Sequence, residues 1–290
     1  MLSYAVLFAI MAVLSFSVGD VFQKSLAEKI DSYKAALFIS GVGVLPLLAG
    51  YFLFPEPPVP LVTMAASAVT GIFFGLAYIL LYRTFETEQV TVTIALAELP
   101  PALLVVLGIF AYGEGISEVG VLSIVLIFIG VALLITEEGM SINKRMTSAV
   151  LAFVIWAAYW GIMSYAISTS GNFIEPIAAV RIVSVVTLGA FVLMKGRKRV
   201  RGRAYVRRNA ISSLPAFAII AIGGIADGLG NMMQGATISI NQIVIGSAIV
   251  ALVPVGVGIL GYVFYRDRLD SLQLLGFALM IVGAVALAMA

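Results

Sequence analysis

Apolar runs of about 20 residues follow one another along the chain, separated by short polar breaks. A helix of that length crosses a hydrocarbon layer about 30 Å thick. The pattern predicts ten spans, at roughly 2–22, 34–54, 61–83, 89–112, 118–136, 147–168, 174–194, 213–236, 240–265 and 270–289. Pro55, Pro57, Pro58 and Pro60 punctuate the second break. The first run lacks a basic leading segment and reads as a span rather than a cleaved signal. The longest polar stretch, 195–212, is too short to be a domain.

The runs repeat. Gly71, Gly75, Gln89, Pro101, Gly108, Tyr112 and Gly130 each recur 153 positions later, as Gly224, Gly228, Gln242, Pro254, Gly261, Tyr265 and Gly283. Spans three to five therefore match spans eight to ten without a gap. Leu7/Leu151 and Ser40/Ser184 fit at a spacing of 144, so the second copy has gained about nine residues between its second and third spans. Two five-span units are expected, 1–140 and 141–290. An odd number of spans per unit makes the second enter the membrane from the opposite side. The fold class predicted is thus an all-α membrane protein of ten transmembrane helices, a 5+5 inverted repeat.

Charge sharpens the topology. Lys24, Lys29, Lys34, Arg83, Lys144, Arg145, the run Lys195–Arg208, Arg266 and Arg268 all follow odd-numbered spans. The even-numbered loops carry only acids, among them Glu56, Glu114, Glu118 and Glu175. By the positive-inside rule the odd loops are cytoplasmic and both termini lie outside. The run Lys195–Arg208 fits orientation or attraction to anionic lipid better than nucleic-acid binding. With 62% hydrophobic and 11% charged residues and a mean hydropathy of +1.12, a soluble domain is excluded. No cysteine or histidine is present, which removes disulfides, thiolate metal sites and the usual proton shuttle. No nucleotide-binding loop occurs, so ATP is not the direct energy source, and neither cofactor nor metal is expected.

Intramembrane polar residues supply the candidate site. Asp227, Asn231 and Gln234 fall at i, i+4 and i+7 on one face of span eight. A carboxylate at that depth is costly unless paired or hydrated, so the stripe is expected to border a polar cavity. Glu98 lies near the middle of span four, just before Pro100 and Pro101, which deprive the carbonyls of Leu96 and Ala97 of partners. Pro254 does the same to Val250. Each acid breaks the repeat, since Phe74 matches Asp227 and Ala251 matches Glu98. Unmatched acids are where a substrate lacking two-fold symmetry is recognised, and Asp227 and Glu98 are the proton-coupling candidates. Phe74, Tyr78 and Tyr82 on span three and Trp156 and Trp160 on span six form aromatic stripes. They suit an apolar amine through cation–π contact or, alternatively, are ordinary packing. Gly71/Gly75 and Gly224/Gly228 are GxxxG pairs, read as packing of span three on span eight. Asp20 and Lys24, with Gln23 beside them, read as a gate or interfacial anchor at the end of span one.

Together, Pro101/Pro254, Gly108/Gly261, the acidic turn Glu114/Asp267, Gly130/Gly283 and the stretch Pro176–Arg181 resemble the EamA-type repeat of the drug/metabolite transporter superfamily. In the first half the corresponding stretch, Ser32–Leu37, lacks the proline and arginine. The resemblance covers nearly the whole chain. It implies a prokaryotic plasma-membrane exporter of small metabolites such as amino acids or amines, working by alternating access, or a carrier of sugar phosphates or nucleotide-sugars. It also implies a cavity between spans three, four, eight and nine with one and six, and a structural role for Arg181. Both termini are usually cytoplasmic in such proteins, opposite to the charge pattern here. A membrane enzyme acting on lipid or isoprenoid is the alternative class. The absence of histidine, cysteine and an Asp-rich metal motif argues against it. Oligomeric state is not specified by any of these residues.

Overall fold

The computed structural model describes residues 2–85, 100–135, 146–195, 211, 213–240, 242–266 and 269–289. Among these every regular element is helical: α1 Leu2–Ala27, α2 Ser32–Val42, α3 Val44–Leu53, α4 Leu61–Phe85, α5 Pro100–Phe110 and α6 Glu118–Ile135. The second half holds α7 Met146–Ser170, α8 Ile174–Lys195, α9 Ala216–Ser239, α10 Ile243–Val250, α11 Val253–Tyr265 and α12 Ser271–Met289. Seven stretches among the described residues are long and apolar enough to cross a membrane, and the shorter apolar helices at 118–133 and 271–287 accompany them. Large apolar side chains such as Leu14, Phe52, Phe73 and Val186 face outward. On a soluble protein such a surface would aggregate; here it meets lipid. This is an integral membrane protein.

Among the described residues two spans are broken, and the sequence explains both breaks. Pro46 lacks the N–H that the carbonyl of Val42 needs, and α2 gives way to α3 at Gly43. Pro254 likewise abandons Val250, the last residue of α10. The first helix runs on to Ala27, past the expected end at 22. Its last turns bury Gln23, Lys24 and Ser25 against protein instead of reaching the membrane surface.

Glycines set how the helices meet. A Cβ on Gly71 would lie 2.6 Å from the carbonyl oxygen of Val180, and one on Gly224 2.6 Å from Val42 Cβ. So the two GxxxG pairs do not pack α4 on α9, as the sequence reading held. Each instead seats its helix on the second span of the other half: α4 on α8, and α9 on the α2–α3 junction. The correction has a simple cause, because a small-residue face shows that a backbone approaches closely but not which one. Gly71 meets Val183 while Gly224 meets Ile39, and 39 and 183 differ by the same 144 as Ser40 and Ser184. Those two serines touch each other, Oγ to Oγ, at 3.3 Å.

A second reciprocal contact joins α6 to α12. A Cβ on Gly130 would lie 2.5 Å from Gly276 O, and one on Gly283 2.6 Å from Ser123 O. Adding 153 to 130 and 123 gives 283 and 276, so this is one contact seen from both sides. Numbers rise on one helix as they fall on the other, and the pair therefore runs antiparallel. The same holds for α1 and α9, where Gly19 faces Asp227 and Phe16 faces Gly230.

Candidate functional site

The polar stripe of α9 is buried: Asp227, Asn231 and Gln234 are only 3%, 3% and 2% exposed. Gly19 and Gly230 make this burial feasible. They let α1 and α9 approach so closely that a Cβ on Gly19 would sit 3.3 Å from the amide nitrogen of Asp227. The Asp227 carboxylate is held from two directions. Tyr78 donates its hydroxyl to Oδ1 at 2.6 Å, and Arg181 Nη2 stands 2.5 Å from Oδ2. Asn231 donates through Nδ2 to the Asp227 carbonyl at 2.9 Å, and Tyr159 donates to Asn231 Oδ1 at 3.4 Å.

Arg181 is fully buried, and its guanidinium lies 4.8 Å from the Phe74 ring centre and 5.4 Å from that of Tyr78. A lone buried guanidinium is prohibitively costly; a carboxylate and two aromatic faces offset the cost. The group ties together α4, α8 and α9. It also stands 3.2 Å from where a Cβ on Gly43 would be, so the broken second span closes over it.

Next to this knot lies a cavity. Phe16, Asp20 and Gln23 border it from α1, and Phe74, Tyr78 and Leu81 from α4. Pro100 closes it from α5, Trp156 and Trp160 from α7, and the Asp227 stripe from α9. It leaves about 30 Å³ of room for water centres, enough for about two waters at 10–15 Å³ each. One wall is aromatic. Phe74 and Tyr78 have ring centres 4.9 Å apart, and Trp156 meets Tyr78 edge-on at 5.5 Å. The polar part of the lining holds the carboxylates of Asp20 and Asp227 and the amides of Gln23, Asn231 and Gln234.

Of the residues singled out from sequence, Asp227, Asn231, Gln234, Phe74, Tyr78, Trp156 and Trp160 all border this one cavity. Glu98 lies outside the described residues, as do Asp267 and the basic segment 196–210. Pro101 and Pro254 are buried away from the cavity lining, and Arg181 stands behind Asp227. Five residues were missed as lining: Phe16, Asp20, Gln23, Leu81 and Pro100. In place of the interfacial anchor, Asp20 takes a buried position in the cavity wall. For the first three the signal was present, since 16, 20 and 23 repeat the i, i+4, i+7 spacing of the α9 stripe.

Besides Tyr78–Asp227 and Ser40–Ser184, further polar ties join the two halves toward the ends of the bundle. Both carboxylate oxygens of Glu114 accept from the first N–H groups of α10, Ile243 N at 2.8 Å and Val244 N at 2.9 Å. Asn172 donates to Pro57 O at 2.8 Å across two even-numbered loops. Nearby Glu56 has its carboxyl raised above the usual range by burial, opposed by a hydrogen bond from Phe173 N–H and reinforced by the charge of Glu175. At the other end Lys29 donates to Leu214 O at 2.5 Å, and Tyr265 donates to Val21 O at 2.8 Å.

A duplicated helical unit, glycine-mediated crossings between halves and a buried amphipathic cavity are what a family comparison has to explain. The model of the EamA-like transporter family matches the chain twice, over residues 3–136 and 144–289. The chain belongs to the EamA-like transporter family. Among curated proteins, the "Uncharacterized transporter YxxF" of Bacillus subtilis (strain 168) is 32% identical over 87 residues. That match spans 30% of this chain and 27% of the relative's length. A solved crystal structure superposes with a TM-score of 0.67 over 97% of this chain and 94% of its own, at 17% identity. At that identity the likeness speaks to the fold. This is a family of membrane transporters.

Proposed function

We propose that this EamA-family member is a secondary exporter of small amphipathic metabolites, amino acids or related amines. It works by alternating access between two oppositely oriented five-span halves. One observation carries the reading: a cavity lined by aromatic, amide and carboxylate side chains is built jointly by α1, α4 and α5 of the first half and α7 and α9 of the second. A path made by two bodies opens to either side when they rock. The reciprocal contacts at Gly130/Gly283 and Ser40/Ser184, with the antiparallel run of α6 and α12, support the inverted arrangement. The distribution of lysine and arginine supports cytoplasmic odd-numbered loops, with anionic lipid as the neighbour of segment 195–208.

In this mechanism the cavity, which as it stands admits only about two waters, widens as the halves rock; its aromatic residues then receive the apolar part of the substrate and its polar residues the ammonium group. Asp227 is the charge that responds. A cation entering the cavity competes with Arg181 for it, and a proton arriving there releases Arg181 in the same way. Glu98 is the second carboxylate proposed for coupling. Binding energy is then spent on loosening a knot that joins three helices, which couples occupancy to movement of the halves.

Counterflow in proteoliposomes tests this. Amino-acid uptake that saturates and is accelerated by the same amino acid inside the vesicle is the expected result. Flux that rises linearly with concentration indicates a channel, and product formation without flux indicates an enzyme; either contradicts the proposal.

A further inference from the structure

The cavity wall carries hydrogen-bonding capacity that the folded chain leaves unused. Trp156 Nε1 and Gln234 Nε2 are buried nitrogens with no hydrogen-bond partner among the described residues. Both side chains border the cavity, and they are 9% and 2% exposed. Folded proteins satisfy nearly all such groups, and a buried donor left without an acceptor is a marked exception. Of their neighbours, Tyr78, Tyr159 and Asn231 donate to oxygen atoms, while Gln23 Oε1 in the same lining is a buried acceptor without a hydrogen-bond partner among the described residues.

Chemistry narrows what these atoms await. An indole N–H donates and never accepts, and an amide NH₂ likewise only donates. No lysine or arginine borders the cavity among the described residues, and Arg181, ion-paired with Asp227, stands outside the lining. An acceptor brought in by a ligand would therefore meet neutral donors. The cavity has room for water beside these donors. A ligand that expels this water has to replace its hydrogen bonds, or the donors become unpaired at the moment of binding. Sites of this kind discriminate steeply against an analogue that lacks the matching group.

We infer that Trp156 and Gln234 are specificity determinants that hold acceptor oxygens of the substrate. The substrate then carries a carboxylate or carbonyl oxygen in addition to its cation and apolar part. An amino-acid-like compound fits, whereas a simple amine of the same size does not. This rests on the carrier reading above and narrows it.

L-phenylalanine and 2-phenylethylamine share a ring and an ammonium group and differ by the carboxylate, so counterflow of the two probes isolates the acceptor. Wild-type carrier is expected to favour phenylalanine by about tenfold, which corresponds to about 1.4 kcal/mol. Trp156→Phe and Gln234→Leu should each lower the ratio of phenylalanine to phenylethylamine transport several-fold, the saturable amine flux that remains reporting a folded protein. Equal wild-type preference for the two compounds, or variants that depress both alike, overturns the inference while leaving the carrier intact. Saturable flux of neither compound overturns the amino-acid and amine reading, and this inference with it.

Discussion

Asp227 is shared between a neutral donor, Tyr78, and a cation, Arg181, and its two oxygens divide them. Removing the charge strands a guanidinium that has no access to water. Asp227→Asn should therefore destabilise the protein by about 3–5 kcal/mol, the usual penalty for an orphaned buried charge. Thermal unfolding in detergent reads this directly. Asp227→Asn combined with Arg181→Gln, which removes both charges, should regain most of the stability while transport stays lost. A double variant as unstable as the single one would show that the ion pair is not what holds these helices. Much of this was legible in sequence. An acid well inside an apolar run announces a cavity or a partner, and the i, i+4, i+7 spacing gives its face. The identity of the partner was not legible, because Arg181 lies 46 positions away on another helix and nothing local ties 181 to 227. Asp20 was misplaced for a related reason: its helix was assumed to end where charge begins, but those charges are buried by tertiary contacts.

At the scale of elements, helix ends and breaks carry the information. The Glu114 carboxylate is seated on the N-terminus of α10, where unpaired N–H groups and the helix dipole both favour an anion. Glu114→Ala should cost about 1.5–3 kcal/mol, as charged hydrogen bonds do. Faster amide exchange is expected at Ile243 and Val244 first, and unchanged protection there would refute the cap. Between loops 55–60 and 171–173 the sign of the pH effect is opposite to the common acidic case. Because the Glu56 carboxyl is raised in the fold, folding takes up a proton in the window above its ordinary value. The contribution is thus most favourable below that window and is lost as pH rises through it. Proteolytic nicking of loop 55–60 should increase with pH across that interval in wild type, and Glu56→Gln should abolish the increase. Prolines made the span breaks foreseeable, since Pro254 and Pro46 each withhold one N–H. The cap by Glu114 was not foreseeable, because it joins residues 129 apart in the sequence.

For the whole molecule, duplication written into the sequence at spacings of 144 and 153 reappears as contacts that are reciprocal under those same offsets. Sequence identified the small faces but assigned them to each other; in space each half grips the other's second span. Gly224→Leu tests that arrangement, because its side chain would drive into Val42 and the α2–α3 junction. Overpacking of this kind costs about 1–3 kcal/mol, and slower exchange between the two access states should follow. The cavity between the halves is the centre of the account, and the absence of cysteine makes it directly addressable. The decisive measurement is counterflow by a Phe16→Cys variant, before and after reaction with a bulky maleimide. Saturable transport that is abolished by the label, and protected from it by excess substrate, is the predicted result. Undiminished transport through a labelled cavity would show that the substrate travels elsewhere.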